Sequence, residues 1–359
     1  MGDPVRRQTA DTTADVTIDS RDKSTMQLVF QNTSGGVQNV KLVRPGYAGT
    51  ETFTTPYKNA LAKASAIRLM DISNINNNLE VNWSDRRSPA YFSQAEEADG
   101  RKTGVAWEYA IQLCNELKRD AWVSIPATAS DDYVINLARL WLQGDTVDGV
   151  MYPGLDPSLN IYVEYSNEVW NPDFQDYRLN RSAAVAEVRN GAVAFNYDGS
   201  TDDTVWAWRR TGKRIKEISD DFRGVFGNAA MGTRIRPILS AQQGTPDVGR
   251  EGLLFIDNMY GSQHAVSYYL YGFGGAAYYS PDNNSNALTL DTVFATLLTR
   301  DWIKDIQIHT DWASVYGLKH VVYEGGPALE TTGHSDAVKA AAVRDPRMTA
   351  AVVNQHDAS

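Results

Sequence analysis

The chain has 359 residues, enough to bury a large core without disulfides, and its single cysteine, Cys114, excludes an intramolecular disulfide. Apolar residues make up 42% of the chain and charged residues 22%, which excludes the disordered and collagen-like classes. The net charge of −10 repels phosphate backbones and anionic lipid, so we expect no nucleic-acid partner. No apolar run reaches the length of about 18 residues that a membrane span needs, so we expect no membrane association.

Residues 1–24 are polar, rich in Thr and Asp, and without apolar periodicity, which predicts a loosely ordered leader. The leader lacks the apolar segment of a signal peptide. Two strand-like runs follow it, Thr25 to Asn32 and Val37 to Val43, separated by Thr-Ser-Gly-Gly. We therefore predict that residues 25–359 form a single domain that begins with a strand or a hairpin.

Further along the chain, short apolar runs alternate with amphipathic segments. One helix is indicated by Trp107, Ala110, Ile111, Cys114 and Leu117, which recur at the spacing of one helix face. The next helix is predicted to begin after Ser130 as N-cap and to end at Gly144. The predicted strands, counted from residue 37, are Val37–Val43, Ala66–Asp71, Ala121–Pro126, Asn160–Ser166, Arg234–Ser240, Ala265–Tyr271 and Lys319–Tyr323.

Repeated strand–helix units of this kind predict a parallel sheet in an α/β protein. A doubly wound sheet would carry Gly-x-Gly-x-x-Gly after an early strand, and the sequence lacks that pattern. We therefore predict a (β/α)8 TIM-type barrel with its active site on the loops that follow the strands. Only 35 residues follow Glu324, so we expect the eighth strand to be short or missing and the barrel to be incomplete at its C-terminal end.

Charged residues stand at three of the predicted strand ends, where burial is costly unless they have a role. Glu168 follows the fourth strand and Glu324 follows the seventh. Arg68 and Asp71 end the second strand. Two readings of the glutamates are open: a catalytic pair, or a structural edge in which arginines and backbone amides satisfy both carboxylates.

The residues around these glutamates resemble a known family. Tyr-Ser-Asn-Glu-Val-Trp-Asn at 165–171 and Tyr-Glu-Gly-Gly at 323–326 are similar to the acid/base and nucleophile motifs of glycoside hydrolase clan A, which comprises retaining barrel glycosidases. The resemblance covers about residues 37 to 330. It implies that Glu168 is the acid/base, that Glu324 is the nucleophile and that Asn167 hydrogen-bonds the sugar 2-hydroxyl.

The same resemblance implies further substrate-binding residues. Arg68 matches an arginine that in this clan lies beside the nucleophile. A tyrosine of strand six contacts the nucleophile in the clan, and of the four tyrosines between residues 268 and 278 we favour Tyr278. The aromatic residue that the clan carries on strand eight has no candidate in this sequence.

Three other side chains are candidates for sugar binding. Trp170 is close to Glu168 along the chain and offers a flat ring to a sugar face. Asp71 could contact sugar hydroxyls or lie in a solvated turn, and His334 could line the cleft or lie on a surface loop. The histidines lack metal-ligand spacing, so we expect no metal site. The two-carboxylate mechanism that the resemblance implies needs no organic cofactor, so we expect none.

Retaining glycoside hydrolysis needs a carboxylate that attacks the anomeric carbon and a protonated carboxyl group roughly 5 to 5.5 Å away. With Glu168 and Glu324 in these roles, the resemblance implies a retaining β-glycosidase that acts by double displacement on an oligosaccharide or polysaccharide. Such a substrate implies an extracellular or periplasmic location. The alternative is a non-catalytic carbohydrate-binding or surface-assembly protein on a barrel scaffold, because a fold does not determine a function.

Overall fold

The computed structural model describes residues 6–10, 13–16, 46–97, 100–281, 289–297, 303–329 and 335–358. The predicted strands at Thr25–Asn32 and Val37–Val43 lie outside these ranges, as does His334. The chain divides into two compact units, residues 1–52 and 53–359. In the first unit, Arg6–Ala10 (β1) pairs antiparallel with Thr13–Val16 (β2).

The second unit is built from alternating strands and helices, in agreement with the predicted α/β class. Its strands are β3 (Ala66–Arg68), β4 (Asp120–Ile125), β5 (Asp145–Val147), β6 (Val150–Tyr152), β7 (Ile161–Tyr165), β8 (Ile235–Ser240), β9 (Gly272–Gly274), β10 (Ala277–Tyr279), β11 (Lys319–His320) and β12 (Gly325–Pro327). Its helices are α1 (Thr55–Leu61), α2 (Trp107–Leu117), α3 (Asp131–Gln143), α4 (Gln175–Arg189), α5 (Asp203–Phe226), α6 (Pro246–Tyr260), α7 (Val266–Tyr269), α8 (Leu290–Leu297), α9 (Ile303–Val315), α10 (Asp336–Arg344) and α11 (Pro346–Ala358). In the described ranges, no helix combines the length and the apolar character that crossing a membrane requires.

Six strands form one sheet in the order β11-β9-β8-β7-β4-β3, and every neighbouring pair is parallel. Strands β10 and β12 form a separate parallel pair, and β5 and β6 form a hairpin. Arg68 ends one edge strand, β3, and makes an ion pair of 3.2 Å with Glu324, which follows the other edge strand, β11. The two edges therefore approach each other at their carboxyl ends, so the sheet is curled.

The prediction of a (β/α)8 TIM-type barrel is wrong, because the residues that the structure describes form a curled, open sheet of six strands. Among the described residues, the segment that would have supplied an eighth strand is helical: α10 and α11 follow the β10–β12 pair. Alanine is frequent in this segment, with three in succession at 340–342, and alanine has the highest helix propensity. Intrinsic propensity and packing therefore favour a helix at the place where closure would require a strand.

The predicted strand Ala265–Tyr271 is also wrong. Its centre forms the short helix α7, and the sheet strand is β9, which begins at Gly272. A Cβ atom on Gly274 would lie 1.9 Å from the carbonyl oxygen of Val321, and one on Gly272 would lie 2.6 Å from a methyl carbon of Val321. At these positions β9 lies so close to Val321, just after β11, that only glycine fits. The bulky side chains of Ala265–Tyr271 could not take these places, so that run lies outside the sheet.

The predictions for α2 and α3 are confirmed. Helix α2 covers Trp107–Leu117 and buries Cys114 completely. Helix α3 follows Ser130, whose side chain accepts a hydrogen bond from the backbone N–H of Tyr133, and it stops at Gly144, which has a φ of 76°. The bounds of these two helices therefore follow from local sequence signals, namely apolar periodicity and capping residues.

The contact between α5 and α6 gives a first testable prediction. A Cβ atom on Gly212 of α5 would lie 2.4 Å from the carbonyl oxygen of Gly252 in α6. We expect Gly212→Ala to push the helices apart and to lower the free energy of unfolding by roughly 1–3 kcal/mol, measured by urea denaturation. Gly224→Ala on the same helix is the matched control, because its Cβ would meet nothing within 4 Å. Equal unfolding midpoints for the two variants would contradict this account of the helix contact.

Candidate active site

Arg68 lies at the centre of a polar cluster at the carboxyl end of the sheet. Its Nη1 donates to Glu324 Oε2 at 3.2 Å. Its Nη2 donates to Glu164 Oε2 at 2.9 Å and to Asn167 Oδ1 at 2.8 Å. One guanidinium therefore joins residues that follow or belong to β3, β7 and β11. The structure thus brings Arg68, Asn167 and Glu324 together. All three stand at or just after the ends of strands predicted from the sequence.

Glu164 is a member of this cluster that the sequence reasoning missed. The residue is buried within β7, with 2% of its surface exposed. Its Oε2 accepts from Trp122 Nε1 at 2.8 Å as well as from Arg68, and its Oε1 accepts from Ser240 Oγ at 2.6 Å. The available signal was a lone carboxylate inside an otherwise apolar strand. Glu164 thus holds the guanidinium of Arg68 in place from the interior of the sheet.

Glu168 lies in a tight turn directly after β7. Ser166 has a φ of 55° and Glu168 a φ of 42°, so both occupy the left-handed region that residues other than glycine seldom adopt. The Glu168 carboxyl group accepts from the Tyr323 hydroxyl at 2.9 Å and from Asn171 Nδ2 at 2.9 Å. The Glu168 side chain is therefore anchored to the segment after β11, where Glu324 also lies.

Glu324 is held by a cation and a phenol. Besides the contact with Arg68, its carboxylate accepts a hydrogen bond from the Tyr278 hydroxyl. Burial raises the pKa of Glu324, the hydrogen bond from Tyr278 and the charge of Arg68 oppose this rise, and the negative charge of Glu168 adds to it. The resulting pKa is above that of a free glutamate, so Glu324 loses its proton at a higher pH than an exposed side chain would.

Of the tyrosines near strand six, Tyr278 is the one hydrogen-bonded to Glu324. Tyr268 instead packs against Arg223, and Tyr271 packs against Arg236. Tyr278 is fixed through its backbone, since its N–H donates to Gln243 Oε1 at 2.8 Å. It lies in β10, which pairs with β12 directly after Glu324, and this pairing explains the contact.

The other predicted binding residues have different surroundings. Trp170 is buried, and its ring makes an edge-to-face contact with that of Tyr323, with 6.1 Å between the ring centroids. Asp71 is exposed, and its charge acts on Tyr57 of α1. In the described part of the chain, no hydrogen bond joins Asp71 to Arg68 or to the two glutamates. His334 lies outside the described residues.

A cavity of about 470 Å³ opens beside the cluster. Glu324 and Tyr278 line one side of it, and Val352, Gln355 and His356 of α11 line the other. A second cavity, of about 650 Å³, is lined by residues of α4 and contains neither of the two glutamates. Within the ranges that the structure describes, no group of three or more His, Cys, Asp or Glu side chains is placed to hold a metal ion.

No protein-family model, no curated protein and no solved structure matches this chain. A functional assignment therefore depends on the residues of the cluster and on their geometry. Two carboxyl groups, an arginine, a phenol and an amide converge at the carboxyl ends of parallel strands, next to a cavity. This arrangement is suited to acid/base and nucleophilic chemistry.

Proposed function

We propose that the protein is a retaining β-glycosidase in which Glu324 is the nucleophile and Glu168 the acid/base. One observation carries the proposal: two glutamates from different strands lie at the same end of the sheet in different environments. Glu324 contacts a cation and a phenol, whereas Glu168 contacts a phenol and an amide. Acid and nucleophile roles require different environments for the two carboxyl groups. The charge of Arg68 and the hydrogen bond from Tyr278 favour the ionised form of Glu324 that attack needs, and they act against the burial that raises its pKa.

In the first step the Glu324 carboxylate attacks the anomeric carbon and the bond to the leaving oxygen breaks. Glu168 gives its proton to that oxygen, which departs as an alcohol. Arg68 and Tyr278 orient the attacking carboxylate, because both donate hydrogen bonds to it. In the second step Glu168, now ionised, takes a proton from water as the water attacks the glycosyl-enzyme and releases Glu324.

Asn167 is suited to bind the sugar 2-hydroxyl. Its Oδ1 accepts from Arg68, and its Nδ2 donates one hydrogen bond to Asn76 Oδ1 at 3.0 Å. An amide nitrogen carries two hydrogens, so one N–H remains to meet a hydroxyl group of the substrate. The substrate we propose is a plant, algal or microbial glycan. The cavity beside the cluster is lined by Glu324 and Tyr278 but not by Glu168 or Asn167. An extracellular or periplasmic location follows from such a substrate.

The proposal is tested by a screen of aryl β-glycosides and polysaccharides with the wild-type protein and with Glu324→Gln. We expect hydrolysis by the wild type and a loss of roughly 10⁴-fold or more in the variant, because a carboxamide cannot form the glycosyl-enzyme. Glu116→Gln is the matched control. Glu116 belongs to the other Asn-Glu dipeptide of the chain, on α2, where it is exposed and pairs with Lys58. This control should keep full activity.

Two results would overturn the proposal. Hydrolysis that survives in Glu324→Gln would remove Glu324 from the reaction. Binding of glycans without hydrolysis by the wild type would instead favour a non-catalytic carbohydrate-binding protein, in which the same aromatic and amide groups bind a sugar that is not cleaved.

A further inference from the structure

Besides Glu164, another buried carboxyl group lies next to the turn that carries Glu168. Asp176 is in the first turn of α4 and is completely buried. Its Oδ2 accepts a hydrogen bond from the hydroxyl of Ser166, which is also completely buried. Its Oδ1 is buried and has no hydrogen-bond partner in the part of the chain that the structure describes.

This arrangement is costly for the folded protein. A buried carboxylate with one hydrogen bond loses the several contacts that water would give it. Burial accordingly raises the pKa of Asp176 to about 6, although the Ser166 hydrogen bond acts in the opposite direction. Because Asp176 lies in the first turn of α4, the helix dipole interacts favourably with its negative charge. Costly polar groups of this type concentrate at functional sites, because there they determine the conformation of reactive residues.

The residue that Asp176 holds has a constrained backbone. Ser166 has a φ of 55°. This backbone conformation is unfavourable for any residue that carries a Cβ atom, so contacts with the surroundings must stabilise it. Its backbone N–H donates to the carbonyl oxygen of Ile125 at 2.8 Å, and its side chain is held by Asp176. These two hydrogen bonds hold the backbone N–H and the side chain of Ser166. Asn167 and Glu168 follow Ser166 directly in the chain.

We propose that Asp176 is a positioning residue for Glu168, acting through Ser166. This inference rests on the proposed glycosidase function, since it concerns the group that protonates the leaving oxygen. Asp176 itself touches neither Glu168 nor Glu324 in the described hydrogen-bond network, so it acts only through the turn. When the Ser166–Asp176 contact is lost, the turn relaxes towards ordinary backbone angles and the Glu168 carboxyl group moves away from the leaving oxygen.

The variant Asp176→Ala tests this inference. A displaced proton donor slows only those substrates whose leaving group needs a proton. We expect kcat on glycosides with poor leaving groups to fall roughly 10- to 100-fold, with KM little changed, and kcat for the first step on dinitrophenyl glycosides to fall less than about threefold. Asp176→Asn keeps an oxygen that accepts from Ser166 and should restore most of the activity.

Substitutions of Ser166 provide an independent arm. Ser166→Ala removes the hydroxyl and leaves an unfavourable φ, so it should reproduce Asp176→Ala. Ser166→Gly also removes the hydroxyl, but glycine adopts a positive φ freely and should therefore retain more activity. The matched control is Ser219→Ala in α5. It removes another buried serine hydroxyl, which donates a hydrogen bond of 2.6 Å to the carbonyl oxygen of Tyr269. This control should show no dependence on the leaving group.

A crystal structure of Asp176→Ala separates this inference from the proposed function. If Glu168 keeps its 2.9 Å contact with Tyr323 in that structure, or if the kinetic loss is equal for good and poor leaving groups, Asp176 does not position Glu168. If the wild-type protein hydrolyses no glycoside, the proposed function fails. In that case, displacement of Glu168 in the Asp176→Ala crystal still supports the role of Asp176 in holding the turn.

Discussion

Replacing Glu168 by alanine should slow the hydrolysis of unactivated glycosides by roughly 10²- to 10⁴-fold and should leave the first step on dinitrophenyl glycosides nearly intact. Dinitrophenolate departs without a proton, and Glu324 remains in place to attack. The glycosyl-enzyme should then accumulate, because no general base activates water for the second step. A stopped-flow burst of dinitrophenolate followed by slow turnover measures both effects.

Azide should restore turnover of the Glu168→Ala variant. A small anion needs no general base to attack the glycosyl-enzyme, and the product should be the β-glycosyl azide, identified by NMR. Glu324→Ala is the comparison, because removal of the nucleophile should impair all substrates alike, whatever the leaving group. Equal losses of Glu168→Ala on activated and unactivated substrates, without azide rescue, would show that Glu168 is not the acid/base.

Replacing Arg68 by leucine should lower the free energy of unfolding by about 3–5 kcal/mol. The reason is Glu164, whose carboxylate is 2% exposed and would remain buried without the cation that Arg68 supplies. The control is Arg181→Leu, which breaks a largely exposed pair with Asp203 and should cost less than about 1 kcal/mol. Urea denaturation of both variants measures the difference.

A second substitution identifies the cause of the loss. In the Arg68→Leu background, Glu164→Gln removes the unpaired charge and keeps an oxygen that accepts from Trp122 or Ser240. We expect this double variant to recover a large part of the lost stability, since removing both partners of a buried pair costs much less than removing one. If Arg68→Leu lowers the free energy of unfolding no more than Arg181→Leu does, the charge of Glu164 is balanced by another group.

The convergence of Arg68, Asn167, Glu168 and Glu324 was predictable from the sequence, because the carboxyl ends of parallel strands meet at one edge of a sheet. Each of these residues stands directly after, or at the end of, an apolar run that the sequence marks as a strand. Glu164 was not predictable as a partner of Arg68. Its role depends on Trp122 and Ser240, which come from neighbouring strands and are distant in the chain.

The sequence by itself determined the features that depend on local interactions: the alternation of strands and helices, the helix of Trp107–Leu117, and the N-cap at Ser130. The tertiary structure alone decided how many strands the sheet has, that it stays open, that β9 begins at Gly272, and that Tyr278 is the tyrosine bonded to Glu324. These features depend on which segments pack against each other, and in a parallel sheet every such pairing joins residues far apart in the chain. Periodicity and capping carry information over a few residues only, so they cannot specify contacts such as the one between Arg68 and Glu324.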